Sequence, residues 1–315
     1  MKIRTAGLLD LSRIEEMHRS SEIKMSETAP PAARLWSLLS LTMSALLPLA
    51  QDTLMYVAED RGKVVGFIQA SGQPLALDLR RARVLQVLNL QVADEADPDE
   101  VAPALVQHLT NQALERGALR LFVRLPDRDA LLPAFRLQGF RQYATEQVLY
   151  GERPRQRSGE YPLGIRQTKR GDDRKLYHLY RKVTPQGVSQ VEAPTYREWK
   201  ALHSEGAAGG HVVDRIEVVG WTRMQRGGGA RPDTLEFMAL PESPLPAELA
   251  DFAISLLGDS EGPAWASLRH YDSHMIDALR GRGFSVLLTQ LLLVKELAVR
   301  VPKPVREKGL VPSFG

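Results

Sequence analysis

Apolar and polar positions along the chain predict short strands that alternate with helices. Thr53 to Glu59 and Lys63 to Ala70 alternate or are β-branched on either side of Asp60-Arg61-Gly62, which indicates an antiparallel hairpin. Val84 to Val92 is almost continuously apolar and predicts a central strand. Asp99 to Arg116 has the pattern of a helix and ends before a glycine. The first half of the chain therefore contains the parts of a mixed α/β unit.

The same reasoning gives the remaining elements of both halves. In the first half we expect a strand at Lys2 to Thr5, a helix from about Asp10, a strand at Leu119 to Val123, a helix at Asp127 to Leu137 and a closing strand at Gln142 to Tyr150. In the second half we expect strands at Leu163 to Gln167, Val212 to Val213, Glu217 to Met224, Thr234 to Leu240, Trp265 to Leu268 and Val286 to Val294. The helices expected there are Asp172 to Arg181, one that starts from the capping box Thr195 to Glu198, Pro246 to Leu257 and Asp272 to Arg280.

The two halves repeat the same order of segments, with an offset that shrinks from 162 to 154 and then to 144 residues. The corresponding segments are Ile3-Arg4 with Ile165-Arg166, Asp10 with Asp172, Val64 to Phe67 with Val218 to Trp221, and Phe135 to Phe140 with Leu279 to Phe284. An unchanged order with shorter connections in the second copy indicates two related domains.

A chain of 315 residues is long enough for two such domains. We predict domains at residues 1–152 and 161–298, joined by a polar, proline-bearing linker at 153–160 and followed by an extended tail at 299–315. Each domain is expected to be a central mixed β-sheet flanked by helices, so the predicted fold class is α/β with a mixed sheet (α+β).

Composition removes several classes of function. The 41 basic and 38 acidic residues nearly cancel, so no nucleic-acid partner is expected. The absence of cysteine excludes disulfides, thiolate catalysis and cysteine metal sites. His270 and His274 lie at a predicted helix start where their imidazoles need not converge, so no metal is expected. The N-terminus becomes charged too early for a signal peptide, and we expect a cytoplasmic protein.

Leu35 to Ala50 carries no charged residue over sixteen positions. The segment is shorter than the roughly 20 residues that a spanning helix needs, and it contains Pro48. We interpret it as a buried or groove-lining helix and expect no membrane span. Leu35 to Leu49 could also form an interface with a protein partner or with a second copy of the chain.

The order of elements resembles that of the GNAT superfamily of N-acyltransferases. The segments that carry this resemblance are Val57 to Ile68 and Phe135 to Phe140 in the first half, with Val218 to Trp221 and Leu279 to Phe284 in the second. The resemblance covers about residues 1–298. It implies two tandem domains of this fold and the transfer of an acyl group from acyl-CoA to an amine of a small molecule or a peptide.

In that superfamily a glycine-rich turn offers backbone N–H groups to the CoA diphosphate at a helix N-terminus. Neither corresponding turn of this chain has a glycine. Residues 94–100 carry five carboxylates and a proline, whereas residues 241–246 carry three prolines and are less acidic. The CoA-binding loops are therefore degenerate, and the second half is the better candidate to bind acetyl-CoA or another acyl-CoA. The resemblance implies backbone contacts to it at Ala239, Leu240, Ser243 and Leu245. In the first half, Asp97 or Asp99 is expected to cap the following helix instead.

Many superfamily members have a tyrosine four residues before the glycine of the Gly-Phe pair, where its hydroxyl can protonate the departing thiolate. This chain has Phe135 and Leu279 there, and neither can donate a proton. Glu236 in the second central strand is the candidate base, and Tyr271 is the candidate acid. Asp272 is an alternative acid or orienting group, or else the cap of the last helix.

Two classes of function remain open at this point. The first is an acyl-CoA-dependent N-acyltransferase of tandem GNAT architecture whose acceptor the sequence does not identify. The second is a non-catalytic binding or assembly protein that keeps the fold and has lost the CoA chemistry.

Overall fold

The computed structural model describes residues 1–17, 53–73, 84–152, 154–155, 161–203, 209–227, 232–258 and 262–297. The predicted helix within Leu35 to Ala50 and the predicted tail at 299–315 lie outside these ranges, as does most of the predicted linker. Among the described residues, no helix combines the length and apolar character needed to cross a membrane.

The strands of both halves belong to one twelve-stranded mixed sheet. The strands are β1 (Lys2–Thr5), β2 (Thr53–Asp60), β3 (Lys63–Gln73), β4 (Val84–Val92), β5 (Arg120–Pro126), β6 (Arg141–Gly151), β7 (Ile165–Gln167), β8 (His211–Asp214), β9 (Val218–Gln225), β10 (Asp233–Ala239), β11 (Ala264–Arg269) and β12 (Ser285–Glu296).

Helices cover the sheet and connect its strands. The described helices are α1 (residues 11–17), α2 (Pro98–Glu115), α3 (Leu132–Leu137), α4 (Asp173–Val183), α5 (Gln186–Glu192), α6 (Tyr196–His203), α7 (Leu245–Ser255) and α8 (Ser273–Arg280). The predicted mixed α/β fold is confirmed, and the observed ends of most elements differ from the predicted ones by only a few residues.

The last strand of each half lies in the sheet of the other half. The order across the sheet is β1-β2-β3-β4-β5-β12-β6-β11-β10-β9-β8-β7, so β12 lies between β5 and β6. Strand β12 pairs antiparallel with β5 along Gln290 to Glu296, and β6 pairs antiparallel with β11. This exchange joins the two halves into one continuous sheet, because β5 of the first half pairs with β12, the last described strand of the second half.

Each half opens a gap in its sheet between two parallel strands. Strands β4 and β5 pair only from Val84 to Val87, although β4 continues to Val92. Strands β10 and β11 pair only from Asp233 to Leu235, although β10 continues to Ala239. Beyond these points the neighbouring strands are no longer paired, so the end of each central strand is free of its parallel neighbour.

The glycine of the repeated Val-Val-Gly segment lies under a helix in both halves. A Cβ at Gly66 would be 2.8 Å from Cγ1 of Val101 in α2 and 3.0 Å from the Gln91 carbonyl. A Cβ at Gly220 would be 3.5 Å from Leu245 and from Leu249 in α7. Close approach of the helix to the strand explains why the segment has glycine in both copies.

The repeated arginine and aspartate form the same ion pair in both halves. Arg4 binds Asp10 through two bonds of 2.6 and 2.9 Å, and Arg166 binds Asp172 through bonds of 2.8 and 3.1 Å. In each half the arginine holds the pKa of the aspartate below its usual value. Asp10 was expected to begin a helix as its cap, but its carboxylate faces Arg4 and accepts the Gly7 N–H at 2.7 Å. The sequence repeat therefore corresponds to a structural clasp between the first strand and the first helix.

Two local predictions need correction. The helix predicted from Asp127 begins only at Leu132, because the Asp129 carboxylate accepts the Leu131 N–H at 2.7 Å and holds a turn before it. Helix α5 was not predicted at all. The capping box at Thr195 is confirmed, since the Glu198 N–H donates to the Thr195 hydroxyl at 3.2 Å.

Candidate functional site

A cavity of about 700 Å³ opens on the face of the sheet where the two halves meet. Its lining comes from β5 and β6 of the chain's first half and from β9, β10, β11, α4, α5 and α6 of the second. The aromatic side chains Tyr180, Trp199, Trp221 and Phe237 form part of its wall. The volume is in the range of small-molecule binding sites.

A buried charge network forms the floor of this cavity. Arg269 at the end of β11 binds Glu192 of α5 at 2.7 Å and Glu146 of β6 at 3.3 Å. The Tyr143 hydroxyl donates to Glu192 at 3.0 Å. The Glu146 side chain is only 5% exposed, and its Oε1 atom has no hydrogen-bond partner among the described residues. The network therefore contains a buried carboxylate oxygen that is not hydrogen-bonded to any described residue.

The environment of the network shifts its proton affinities. Burial would lower the pKa of Arg269, but the charges of Glu192 and Glu146 outweigh it and raise that pKa. Burial and then the Glu192 charge raise the pKa of Tyr143 and of Tyr180. Both tyrosines therefore keep their protons at neutral pH and can act only as hydrogen-bond donors or acceptors there.

Tyr271 and Asp272 follow β11 directly and line the same cavity. Burial raises the pKa of Tyr271 above its ordinary value. Burial also raises the pKa of Asp272 from 3.8 to about 6, although the Arg269 N–H and charge oppose the increase. Asp272 occupies the N-cap position of α8, but its carboxylate accepts the Arg269 N–H at 3.3 Å instead of a helix N–H. Its proton affinity is thus close to that required of a group that exchanges protons near pH 7.

A smaller cavity of about 140 Å³ fills the gap between β10 and β11. Phe237, Met238 and Ala239 of β10 face Leu268 of β11 across it. Six residues line both this cavity and the large one, and they are Val183, Phe237, Met238, Leu268, Tyr271 and Asp272. Tyr271 and Asp272 therefore stand where the strand gap meets the large cavity.

The structure brings Glu236 to the large cavity together with Tyr271. The Glu236 carboxylate lies 2.6 Å from Nη2 of Arg223 on the neighbouring strand β9. A base at this position would have to give up this ion pair before it could contact an amine. Asp272, which the sequence offered as an alternative acid or orienting group or as the cap of the last helix, lines both cavities.

The residues predicted to bind acyl-CoA through their backbone lie at and after the end of β10. Ala239 lines the strand gap. The Leu240 N–H donates to the Val219 carbonyl at 2.9 Å, and the Leu245 N–H donates to the Glu242 carbonyl at 3.0 Å. Ser243 is exposed in the turn before α7. Two of these four predicted donors are thus engaged within the chain, and the assignment of this set stays a prediction.

The corresponding turn of the first half has a structural role. The Asp97 carboxylate caps α2 by accepting the Asp99 N–H at 2.9 Å, which confirms one of the two predicted caps. Glu95 forms an ion pair with Arg13 of α1. Phe135 and Leu279, which occupy the positions where a tyrosine was sought, are fully buried in the cores of the two halves.

Sequence reasoning missed Glu146, Glu192 and Arg269, which form the centre of the network. Glu192 and Arg269 are 77 residues apart in the chain, and Glu146 lies on the exchanged strand β6. No local pattern brings these residues together. Within the described ranges, no group of three or more His, Asp or Glu side chains is arranged to hold a metal ion.

Comparison with known proteins gives the fold a name. No protein-family model matches the sequence. No curated protein matches it at a significant level. Solved structures nevertheless superpose over most of its length. A GCN5-related N-acetyltransferase from Sphaerobacter thermophilus has a TM-score of 0.61 and 16% identity, and the match covers 94% of this chain and 95% of that chain.

Two further structures agree with this. A tandem GNAT protein from the clavulanic acid biosynthesis pathway has a TM-score of 0.53 and 14% identity, with 94% of this chain and 98% of that chain covered. A glucosamine N-acetyltransferase region of a fungal multi-domain β-N-acetylglucosaminidase has a TM-score of 0.60 and 14% identity, with 93% of this chain and 38% of that chain covered. Similarity at this level of identity establishes the fold and not the activity. The chain therefore has the tandem GNAT N-acetyltransferase fold.

Proposed function

We propose that the chain is an acyl-CoA-dependent N-acyltransferase whose active site is in its second half. The observation that carries the proposal is the position of Tyr271 and Asp272. These two residues line both the gap between β10 and β11 and the 700 Å³ cavity beside it. A small slot that meets a larger cavity suits a reaction between a thin acyl carrier and a bulkier acceptor.

The strand gap fits the acyl and pantetheine part of acyl-CoA. Its walls are the apolar residues Phe237, Met238 and Leu268, and its volume of about 140 Å³ suits a narrow chain. The diphosphate end fits less well through the backbone, because Pro241, Pro244 and Pro246 have no N–H group to donate. Lys182 and His274 line the same cavity. The Lys182 ammonium already pairs with Glu217, so His274 is the side chain that offers a hydrogen-bonding group in place of the turn.

Acyl-CoA, when bound, supplies an acyl group already activated as a thioester. Asp272 takes up a proton from the attacking ammonium group, since its pKa of about 6 leaves it ionised at neutral pH. The Tyr271 hydroxyl keeps its proton under the same conditions and can donate a hydrogen bond to a departing thiolate. Glu236 stays paired with Arg223 and leaves the proton transfer to Asp272.

The test is an acyl-transfer assay on the purified full chain with acetyl-CoA, longer acyl-CoAs and a panel of primary amines. Released thiol and acylated amine are measured together. Asp272→Asn and Tyr271→Phe should each lower the rate about 100-fold or more, since general acid–base groups contribute about that much. The matched controls are Asp277→Asn on the exposed face of α8 and Tyr161→Phe near the start of the second half.

The assay also separates transfer from binding alone. Product formation that both site variants suppress and both controls retain would support the transferase. Saturable acyl-CoA binding without product from any amine would favour the non-catalytic binding protein. The absence of both binding and product at millimolar acyl-CoA would contradict the proposal.

A further inference from the structure

The large cavity has a neighbour across the junction of the two halves. A third cavity of about 200 Å³ is lined by β4 and β5 of the first half and by Tyr143 of β6. Arg124, Glu192, Leu202 and Arg269 line both cavities. The space available to an acceptor therefore extends from the second half toward the first.

Most of the charges around this space are already paired. Arg223 binds Glu236 at 2.6 Å, and Arg269 binds Glu192 at 2.7 Å. These four groups neutralise one another within the protein. A ligand gains little from any of them, because each new contact would compete with an existing ion pair.

Among the described arginines that line these two cavities, Arg124 has no ion-pair partner. Its guanidinium is exposed to the shared space and forms no ion pair with any residue that the structure describes. It is close enough to Tyr143 for its charge to lower the pKa of that hydroxyl against the larger effect of burial. Arginine binds carboxylates with two parallel hydrogen bonds, so an unpaired arginine in a cavity favours an anionic group of a ligand.

Glu146 carries an acceptor atom that is not hydrogen-bonded to any described residue, although its other oxygen contacts Arg269. Its side chain is 5% exposed, Oε2 contacts Arg269 at 3.3 Å, and Oε1 has no partner among the described residues. A buried carboxylate oxygen without a hydrogen bond is costly, and such atoms in native proteins have a functional or ligand-binding explanation. An ammonium group of a ligand would satisfy this oxygen.

We propose that the acceptor is a zwitterion, such as a free amino acid or a short peptide, whose carboxylate binds Arg124 and whose ammonium group lies among the carboxylates near Glu146. This inference rests on the proposed transferase function for the identity of the ligand as an acceptor. The aromatic wall formed by Tyr180, Trp199 and Trp221 adds a surface for an apolar side chain. A simple amine would leave Arg124 without an ion-pair partner, and a simple carboxylate would leave Oε1 of Glu146 without a hydrogen bond.

The test compares three probes that differ only in their charged ends. They are the dipeptide glycyl-phenylalanine, its C-terminal amide and its N-acetyl derivative. Dissociation constants are measured by calorimetry on the full chain, with and without CoA. The zwitterion should bind about 10- to 100-fold more tightly than either derivative, because each derivative loses one charge-assisted hydrogen-bonding group.

Arg124→Gln identifies the carboxylate site. This variant should lose the preference for the zwitterion over the amide while the affinity for the amide stays unchanged, which also shows that the variant is folded. Arg128→Gln, an exposed arginine just beyond β5, should keep the preference. If the zwitterion binds no more tightly than its amide, or if Arg124→Gln keeps the wild-type preference, the proposal is wrong.

Acetyl-CoA is titrated against the same preparations so that the two proposals fail separately. Binding of acetyl-CoA without a preference for the zwitterion would overturn only the acceptor assignment. A preference for the zwitterion that depends on Arg124, without any binding of acyl-CoA, would support the acceptor site and overturn the transferase.

Discussion

Replacing Asp272 with asparagine should make the protein more stable at alkaline pH while it impairs transfer. Burial raises the pKa of Asp272 from 3.8 to about 6, which means that the folded protein disfavours the ionised carboxylate. A shift of about two pH units corresponds to about 3 kcal/mol of folding free energy. Asparagine has nearly the same shape and is an equally good residue at the N-cap position, but it carries no charge.

The direction of the pH dependence follows from the raised pKa. Below about pH 4 the carboxylate is protonated in both the folded and the unfolded chain, and the penalty is absent. As the pH rises from about 4 to about 6, the unfolded chain ionises first and stability is lost. Above about pH 6 the full penalty of about 3 kcal/mol is present in the wild type and missing in Asp272→Asn.

The assay is urea unfolding of wild type and variant at about pH 8 and again at about pH 4, where the penalty differs most. The variant should gain up to about 3 kcal/mol at the higher pH and little at the lower one. Asp277→Asn on the exposed face of the same helix should show no such gain. A variant that is no more stable than wild type at about pH 8, or equally stabilised at both values, would refute the reasoning from burial.

Three further predictions concern the fold. Gly66→Ala should lower the free energy of unfolding by about 1–3 kcal/mol, because its Cβ would lie 2.8 Å from Val101, whereas Gly220→Ala, with its nearest contact at 3.3 Å, should cost less. Denaturant unfolding checks the order, and equal losses would contradict the steric argument. Asp251→Ala should cost about 3–5 kcal/mol, since it leaves the buried guanidinium of Arg282 without its bonds of 2.6 and 2.7 Å. Thermal unfolding checks this, and a loss close to that of the surface change Asp277→Ala would contradict it. Ending the chain at Phe284 removes β12 and should expose the backbone of both β5 and β6 to hydrogen exchange, because β12 bonds to both. Protection of β5 at the level of the full chain would show that the halves do not depend on the exchange.

Much of the fold could be predicted because the sequence states it twice. The Arg4 and Asp10 pair returns as Arg166 and Asp172, and the structure shows the same clasp in each half. Strand β4 was predicted with its observed bounds, since Val84 to Val92 is almost continuously apolar and lies between Arg83 and Asp94. The local pattern of apolar and polar residues was sufficient to predict an element wherever the residues of that element determine its conformation.

The strand exchange could not be predicted from such patterns. Strands β6 and β12 are both long, and the pattern of apolar residues along a closing strand does not specify which sheet that strand joins. Helix α5 has only seven residues and includes Gly187, so it gave no helical signal. Because Glu192 lies on this helix and Glu146 on an exchanged strand, the charge network remained hidden until the tertiary structure was known.

The predicted catalytic residues Glu236 and Tyr271 also separate what the local sequence indicates from what depends on tertiary contacts. Tyr271 was found from the sequence because it precedes a helix that the repeat identifies, and the structure places it at the meeting point of two cavities. Glu236 was chosen as the acidic residue of the central strand, but its pairing with Arg223 depends on the neighbouring strand. The burial that raises the pKa of Asp272 also depends on distant residues and has no sequence signature.

The central claim is that acyl-CoA binds in the gap of the second half and not in that of the first. Calorimetric titration with acetyl-CoA tests it directly in two matched variants, Ala239→Trp and Val92→Trp. Ala239 pairs with Gly220, and Val92 pairs with Gly66. The two substitutions therefore place the same bulky side chain at corresponding positions, at the unpaired ends of β10 and β4. With circular dichroism unchanged, the account predicts one binding site in the wild type that Ala239→Trp abolishes and Val92→Trp retains. Undiminished binding in Ala239→Trp, or its loss in Val92→Trp alone, would contradict it.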